Sequence, residues 1–319
     1  MNQTSSNDEQ LLGHEIKDGE FQRTTSQFRR WVVPAREAGG DDGAVPAEAG
    51  RYHLYISYAC PWAHRALIYR KLKGLESLIS LSSVHWFLGQ DDWTFEPGEG
   101  VIADIHGAKN MYEVYQRAKP GCTDVVTVPV LWDKLEDTIV NNESSEIIRM
   151  FNSAFNELTG NNLDFYAESH RHEIDAINTR VYDTLNNGVY RSGFAQTQQA
   201  YEKAVVPLFA TLDWLEDILS KQRYLLGDFL SEADWRLFPT LLRFDLVYYS
   251  HFKCNLRRII DYPNLWAYTR DLYQHPGISE TINFDHIKKH YYGSHLSVNP
   301  TGIVPMGPVI DFEAPHGRG

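Results

Sequence analysis

Residues 52–72 carry the reading that decides the fold: Tyr52-His53-Leu54-Tyr55-Ile56-Ser57, a short break, then Cys60-Pro61-Trp62, then Ala63-His64-Arg65-Ala66-Leu67-Ile68-Tyr69-Arg70-Lys71-Leu72. The first block has the aromatic and branched content of a strand, and the last has the apolar recurrence of a helix. Gly74 is placed to end that helix, because glycine tolerates a left-handed backbone there. Working outward, residues 80–86 read as a second strand, followed by a long Gly/Asp/Trp-rich loop over 89–121. A strand over 125–132 is interrupted by Pro129, a turn covers 133–137, and a strand over 138–140 leads into a helix over 147–155. That alternation of strands and helices is an α/β unit. After Gly160 the strand signals fade, and amphipathic helices are expected over 168–186, 196–221, 231–249 and 265–274. The expected fold class is therefore α/β plus all-α. Its domains are an N-terminal extension over 1–49, an α/β domain over 50–157 and a helical domain over 165–319 with a C-terminal extension. Within the first fifty residues only Phe28 and Trp31 offer anchors, and Gly39–Gly43 has no assigned role.

The chain of 319 residues, with 43% hydrophobic and 23% charged residues, is globular rather than disordered. Lys+Arg of 30 against Asp+Glu of 42 leaves a net charge of −12. A protein that binds nucleic acid by neutralising phosphates carries the opposite balance, so no nucleic-acid partner is expected. No apolar run reaches the length that spans a bilayer, so no membrane span is expected. Three cysteines, Cys60, Cys122 and Cys254, are too few for a disulfide framework. The N-terminus has neither a basic start nor an apolar core segment, and its acidic residues argue against a transit peptide. A cytoplasmic location is the expectation. The 18 tyrosines and 8 tryptophans suit flat, partly polar pockets.

Cys60-Pro61 stands where strand gives way to helix. Proline fits the first helical turn because it needs no N–H partner there. The sulfur then faces the unpaired N–H groups and the positive end of the helix dipole, both of which favour thiolate. Ala63 occupies the place of a second cysteine in a Cys-x-x-Cys pair, so a disulfide formed at Cys60 must be released by an external thiol. Val128-Pro129 lies inside a strand, where proline costs a ladder bond. A cis peptide there would turn the backbone of Val128 toward a ligand, the alternative being an edge-strand proline. Glu143-Ser144, at the next helix start, offers a carboxylate, a hydroxyl and backbone N–H groups, which suit the amino-acid end of a peptide. Read alone, the pair is also an ordinary helix cap. Ser231 and Asp234 form a capping-box pattern with a structural role. Lys71 and Lys73 read as solvated, Trp86 as strand packing, and Asp91-Asp92 as a solvated loop rather than a cation site. No histidine or cysteine spacing suggests a metal.

The runs from Arg51 to Arg65, Asn187-Gly188-Val189-Tyr190-Arg191-Ser192-Gly193-Phe194-Ala195, His286-Ile287-Lys288-Lys289-His290-Tyr291-Tyr292, and Asn299-Pro300 through Ile303-Val304-Pro305 resemble the glutathionyl-hydroquinone reductases, the xi class of glutathione transferases. A Cys-Pro helix start alone also fits glutaredoxins and omega-class transferases. The tyrosine segments and the run past Tyr291 separate the xi class from both. The resemblance covers about residues 15–312. It implies a thioredoxin-like N-terminal domain, a helical C-terminal domain, a homodimer, and glutathione as co-substrate with no metal. It also implies a glutathione site built from Trp93, Val128 with Pro129, Glu143 and Ser144, and a substrate pocket bearing Tyr190 and Tyr291, with Tyr292 the alternative if the register slips.

The activity so implied is reduction of glutathionylated aromatic substrates. Cys60, with Tyr190 and Tyr291, would cleave the C–S bond of a glutathionyl-hydroquinone through a Cys60–glutathione mixed disulfide. Two other readings stand beside it: an omega-like thiol transferase or dehydroascorbate reductase using the same cysteine, and a non-catalytic, redox-inert carrier that holds aromatic ligands at its dimer interface.

Overall fold

The computed structural model describes residues 14–40, 43–89 and 92–319. The chain divides into two compact units. Among described residues, the first contains Thr24–Asp164 and Thr281–His290, and the second contains His14–Arg23, Phe165–Glu280 and Tyr291–Gly319. Compact units and chain order thus do not coincide, and the segment expected to be a separate extension contributes to both.

The first unit is built on four strands: β1 Tyr52–Ile56, β2 Ser80–Ser83, β3 Val130–Asp133 and β4 Thr138–Asn141. They lie in the order β4-β3-β1-β2, with β1 parallel to β2 and the other pairs antiparallel. Every residue of β1 is buried, as expected for a central strand packed on both faces. Burial also sets its polar partners. His53 lies between Ser80 Oγ at 2.7 Å and Ser82 Oγ at 2.9 Å, and desolvation pushes its imidazole down to about 4. Helices α1 Pro61–Leu72, α2 Met111–Ala118 and α3 Ser144–Ser153 belong to the same unit, with α1 packed on α3. Gly74, at φ 66°, follows the last turn of α1 in the left-handed conformation expected of it.

Several expectations change. Helix α2 lies in the stretch read as loop: Asn110 Oδ1 caps Glu113 N at 3.0 Å, and Met111, Val114 and Tyr115 bury one face. Its i, i+3, i+4 spacing was available in the sequence, but eight residues are a weak periodic signal. Trp31 is exposed, so Phe28 anchors the segment instead, edge-on to Tyr115 with ring centroids 5.8 Å apart. Lys73 is buried rather than solvated; its ammonium donates to the carbonyls of Asn161 (3.0 Å) and Leu163. Trp86 lies past the end of β2 and is half-buried. Asp91, of the acidic pair, is outside the described residues, as are Asp41 and Asp42 of the Gly39–Gly43 stretch.

The second unit is helical: Arg171–Val181, Gly188–Gly193, Gln198–Leu219, Glu232–Arg243 and Pro263–Tyr273, with π-helical turns at Tyr182–Asn186 and Phe244–Tyr248. Helices expected as single runs over 168–186 and 231–249 change pitch part-way. Asp234 is buried and accepts from Leu225 N, Ser231 N, Ser231 Oγ and the Tyr268 hydroxyl at 2.7–2.9 Å, so the capping pattern ties three segments together. A two-stranded antiparallel hairpin, His14–Lys17 with Glu20–Arg23, belongs to this unit. Among the described residues no helix is long and apolar enough to cross a membrane.

Candidate active site

Cys60 is the N-cap residue of α1, with Pro61 at the first helical position. Its backbone is extended, at φ −74° and ψ 119°, and this turns the sulfur back over the first turn. There Sγ accepts from Ala63 N at 3.5 Å and, as a thiol, donates to the Val128 carbonyl at 3.4 Å. Cys60 is half-buried, whereas Cys122 and Cys254 are buried. Burial raises both of their thiols, that of Cys254 to about 12. Cys60 alone combines access with a helix-start N–H.

The Val128–Pro129 peptide is cis, with both residues buried just before β3. One hydroxyl ties this loop to the start of α3. Tyr115 OH donates to Thr127 O at 3.0 Å and accepts from Asn142 Nδ2 at 3.0 Å. Glu143 is the N-cap of α3, and its carboxylate accepts from Ser145 N at 3.1 Å and from the hydroxyls of Ser145 and Ser26 at 3.0 and 3.3 Å. Ser144 is buried in the first turn. The structure therefore brings Val128 against Cys60 and sets Glu143 and Ser144 on the helix packed beside α1. Trp93 ends the short hairpin Leu88–Gly89 with Asp92–Trp93. It is only 6% exposed and stacks on His290 with ring centroids 4.9 Å apart, so packing accounts for it although it falls in the stretch read as a long loop.

In the second unit three tyrosine hydroxyls form a chain. Tyr190 OH and Tyr291 OH are 2.7 Å apart, and Tyr291 OH and Tyr248 OH 2.9 Å. Tyr291 is 1% exposed and Tyr190 is 9% exposed. Desolvation drives the Tyr291 and Tyr248 hydroxyls well above the usual phenol range, so both stay protonated. Tyr292 is engaged separately, by Ser250 Oγ and the Leu246 carbonyl, so the tyrosine that joins Tyr190 is Tyr291.

Residues 59–154 match the family model described as the glutathione S-transferase N-terminal domain, and residues 198–271 match the glutathione S-transferase C-terminal domain. The chain is 58% identical to the glutathionyl-hydroquinone reductase PcpF of Sphingobium chlorophenolicum, over 91% of its own length and 90% of the relative's. The chain belongs to the glutathionyl-hydroquinone reductases, the xi class of glutathione transferases. It is an enzyme of that family. A glutathione-bound structure of the Escherichia coli homologue YqjG superposes with a TM-score of 0.88 at 51% identity, covering 91% of this chain and 96% of that one. The xi transferase of Phanerochaete chrysosporium superposes with a TM-score of 0.86 at 53% identity, covering 91% and 98%. The two-part glutathione transferase fold, thioredoxin-like and then helical, is thus the fold of this xi-class chain.

Three residues that hydrogen bond to the candidates or beside them have no local sequence signal. Tyr115 and Ser26 reach the glutathione-site candidates from helix α2 and from the N-terminal segment. Tyr248 joins the tyrosine chain from a π-helical turn. Tyr248 lay inside a run read as one amphipathic helix, where a buried tyrosine is indistinguishable from core.

Proposed function

We propose that this enzyme reduces glutathionyl-hydroquinones to hydroquinones, using glutathione as co-substrate. The carrying observation is Cys60: an accessible sulfur on a helix-start N–H, against the carbonyl of a cis-proline loop. In the proposed reaction the Cys60 thiolate attacks the glutathione sulfur of the substrate. The S–S bond of a Cys60–glutathione mixed disulfide forms, and the C–S bond to the ring breaks with its electron pair on carbon. A proton from the Tyr190–Tyr291 chain replaces sulfur on that carbon. A second glutathione, as thiolate, then attacks the mixed disulfide, giving oxidised glutathione and free Cys60. The net change is that glutathione is oxidised to its disulfide and the ring carbon is reduced.

A poor carbon leaving group is what makes the tyrosines useful, since general acid assistance is worth about 10²–10⁴-fold. Tyr190 is the less buried of the linked pair, and Tyr291, kept neutral by burial, hydrogen bonds to it. Glutathione is assigned to Val128, Pro129, Glu143, Ser144 and Trp93. The Val128 backbone beside Cys60 and the polar helix start at Glu143–Ser144 support that assignment, whereas Trp93 rests on the resemblance alone. We assign a homodimer and a cytosolic setting, where reduced glutathione is available.

The test uses a glutathionyl-hydroquinone, excess glutathione, and mass analysis of the enzyme quenched during turnover. The wild type is expected to carry one glutathione on Cys60. Cys60→Ser should lose turnover while Cys122→Ser and Cys254→Ser keep it. Turnover by Cys60→Ser would overturn the mechanism. Turnover of simple mixed disulfides but not of the C–S substrate would point instead to an omega-like thiol transferase.

A further inference from the structure

The hairpin His14–Lys17 with Glu20–Arg23 carries no motif, and nothing in its sequence links it to chemistry. In the structure its second strand is laid against Tyr190. Phe21 stacks on Tyr190 (centroids 5.9 Å apart, rings inclined 26°) and on Phe194 (5.9 Å, 14°). The Arg23 guanidinium lies 5.2 Å from the Tyr190 ring centroid and 5.3 Å from that of Phe21. Arg23 Nε also donates to Asn187 Oδ1 at 3.0 Å. Asn187, 3% exposed, immediately precedes the helix that carries Tyr190. Gly19 O accepts from Gln196 N at 3.1 Å, and Lys203 pairs with Glu20 at 2.7 Å, so the hairpin is pinned at its turn and its edge.

We infer that Arg23, with Phe21, is a positioning residue for Tyr190 in C–S bond cleavage. A phenol ring is free to rotate and slide unless both its face and its hydroxyl are held. Tyr291 holds the hydroxyl, and the hairpin holds the face. A cation over the face also stabilises negative charge on that ring as its proton departs. In this role Arg23 acts through Tyr190. This inference rests on the proposed role of Tyr190 as proton source. Arg23 also lines an open cleft of about 600 Å³ together with Phe21, Asn187 and Lys203, so shortening its side chain leaves no sealed cavity.

The experiment measures two single-turnover rates in the full-length enzyme. One is C–S cleavage of a glutathionyl-hydroquinone, and the other is reduction of the mixed disulfide of glutathione with 2-mercaptoethanol, whose sulfur leaving group needs no proton on carbon. Arg23→Gln should slow C–S cleavage about tenfold and leave disulfide reduction within about twofold of wild type. Arg23→Lys, which keeps the charge, should recover most of the loss. The double variant Arg23→Gln/Tyr190→Phe should be no slower than Tyr190→Phe alone, because residues that act as one unit are non-additive. Phe21→Leu supplies a second variant with the same substrate-selective loss if Arg23→Gln does not fold. Equal loss on both substrates, additive losses in the double variant, or wild-type C–S cleavage in Arg23→Gln would each overturn the inference. If Tyr190→Phe itself cleaves the C–S bond normally, the role of Tyr190 fails and the role of Arg23 with it. If Tyr190→Phe is slow and Arg23→Gln is not, only Arg23 is struck out.

Discussion

Around Tyr190 the tightest constraint is a missing atom. A Cβ placed on Gly193 would lie 2.2 Å from the ring of Phe252, closer than any real contact. Phe252 in turn packs on Tyr190 at 5.5 Å and on Tyr248 and Tyr291 at 5.6 Å. Gly193→Ala therefore requires Phe252, which packs on the tyrosine chain, to shift. Overpacking of this kind costs about 1–3 kcal/mol. The expected result is a lower unfolding midpoint together with slower C–S cleavage, and Gly193→Ala at wild-type stability would show that Phe252 relocates freely. Glu143 makes a second prediction at this scale. Its carboxylate already holds Ser145 and Ser26, so it is preoriented for a charged ligand group. Charge-assisted hydrogen bonds are worth about 1.5–3 kcal/mol. Glu143→Ala should weaken binding of S-methylglutathione, read by calorimetry, by a corresponding tenfold or more. Unchanged binding would remove Glu143 from the site.

At the level of elements, strand β1 is held by a histidine that cannot take up a proton cheaply. Burial depresses His53 from its usual 6.5 to about 4. The unfolded chain binds a proton at about 6.5, whereas the folded chain does not until about 4, so the contribution of His53 to stability is full above 6.5 and lost as pH falls toward 4. At about 1.4 kcal/mol per unit this amounts to about 3 kcal/mol. The stability advantage of wild type over His53→Gln, measured by urea unfolding, should therefore shrink between pH 7 and pH 4.5. A constant advantage would mean that the imidazole protonates within the fold. In the helical unit, Asp234 joins the Leu225 and Ser231 amides to the Tyr268 hydroxyl. Asp234→Ala strands these buried donors, each costing about 1–3 kcal/mol. A loss of at least about 3 kcal/mol in urea unfolding is expected, and a loss below 1 kcal/mol would mean that water replaces the carboxylate.

For the molecule as a whole, the decisive feature is that its first unit is discontinuous in sequence. Residues Thr281–His290 return to it after more than a hundred residues of helical unit. They bring Thr281 Oγ1 to His64 Nε2 at 2.8 Å, His286 Nε2 to Glu99 O at 2.6 Å, and His290 onto Trp93. A fragment over 24–164, the continuous part of that unit, leaves His64 and Trp93 without those partners. It should lack cooperative unfolding and near-ultraviolet circular dichroism. A fragment extended through 319 should restore both. Cooperative unfolding of the short fragment would show that the returning segment is dispensable.

The sequence by itself determined the parts of this protein that depend on neighbours in the chain. The Cys60-Pro61 helix start, the Gly74 stop, the cis-proline loop at Val128-Pro129, the Glu143 cap and the Ser231…Asp234 box are set by backbone rules acting within four residues. Four segments resemble the xi class, and the comparisons with known proteins show that family. Tertiary structure decided what depends on distance in space. It placed Tyr291 rather than Tyr292 beside Tyr190, added Tyr248 and Tyr115, buried Lys73 and Trp93, and split the N-terminal segment between two units. None of these is encoded by periodicity, because a buried tyrosine in a helix has the same signature whether its hydroxyl meets a backbone carbonyl or another tyrosine. Only the packing of segments remote in sequence settles which hydroxyls meet.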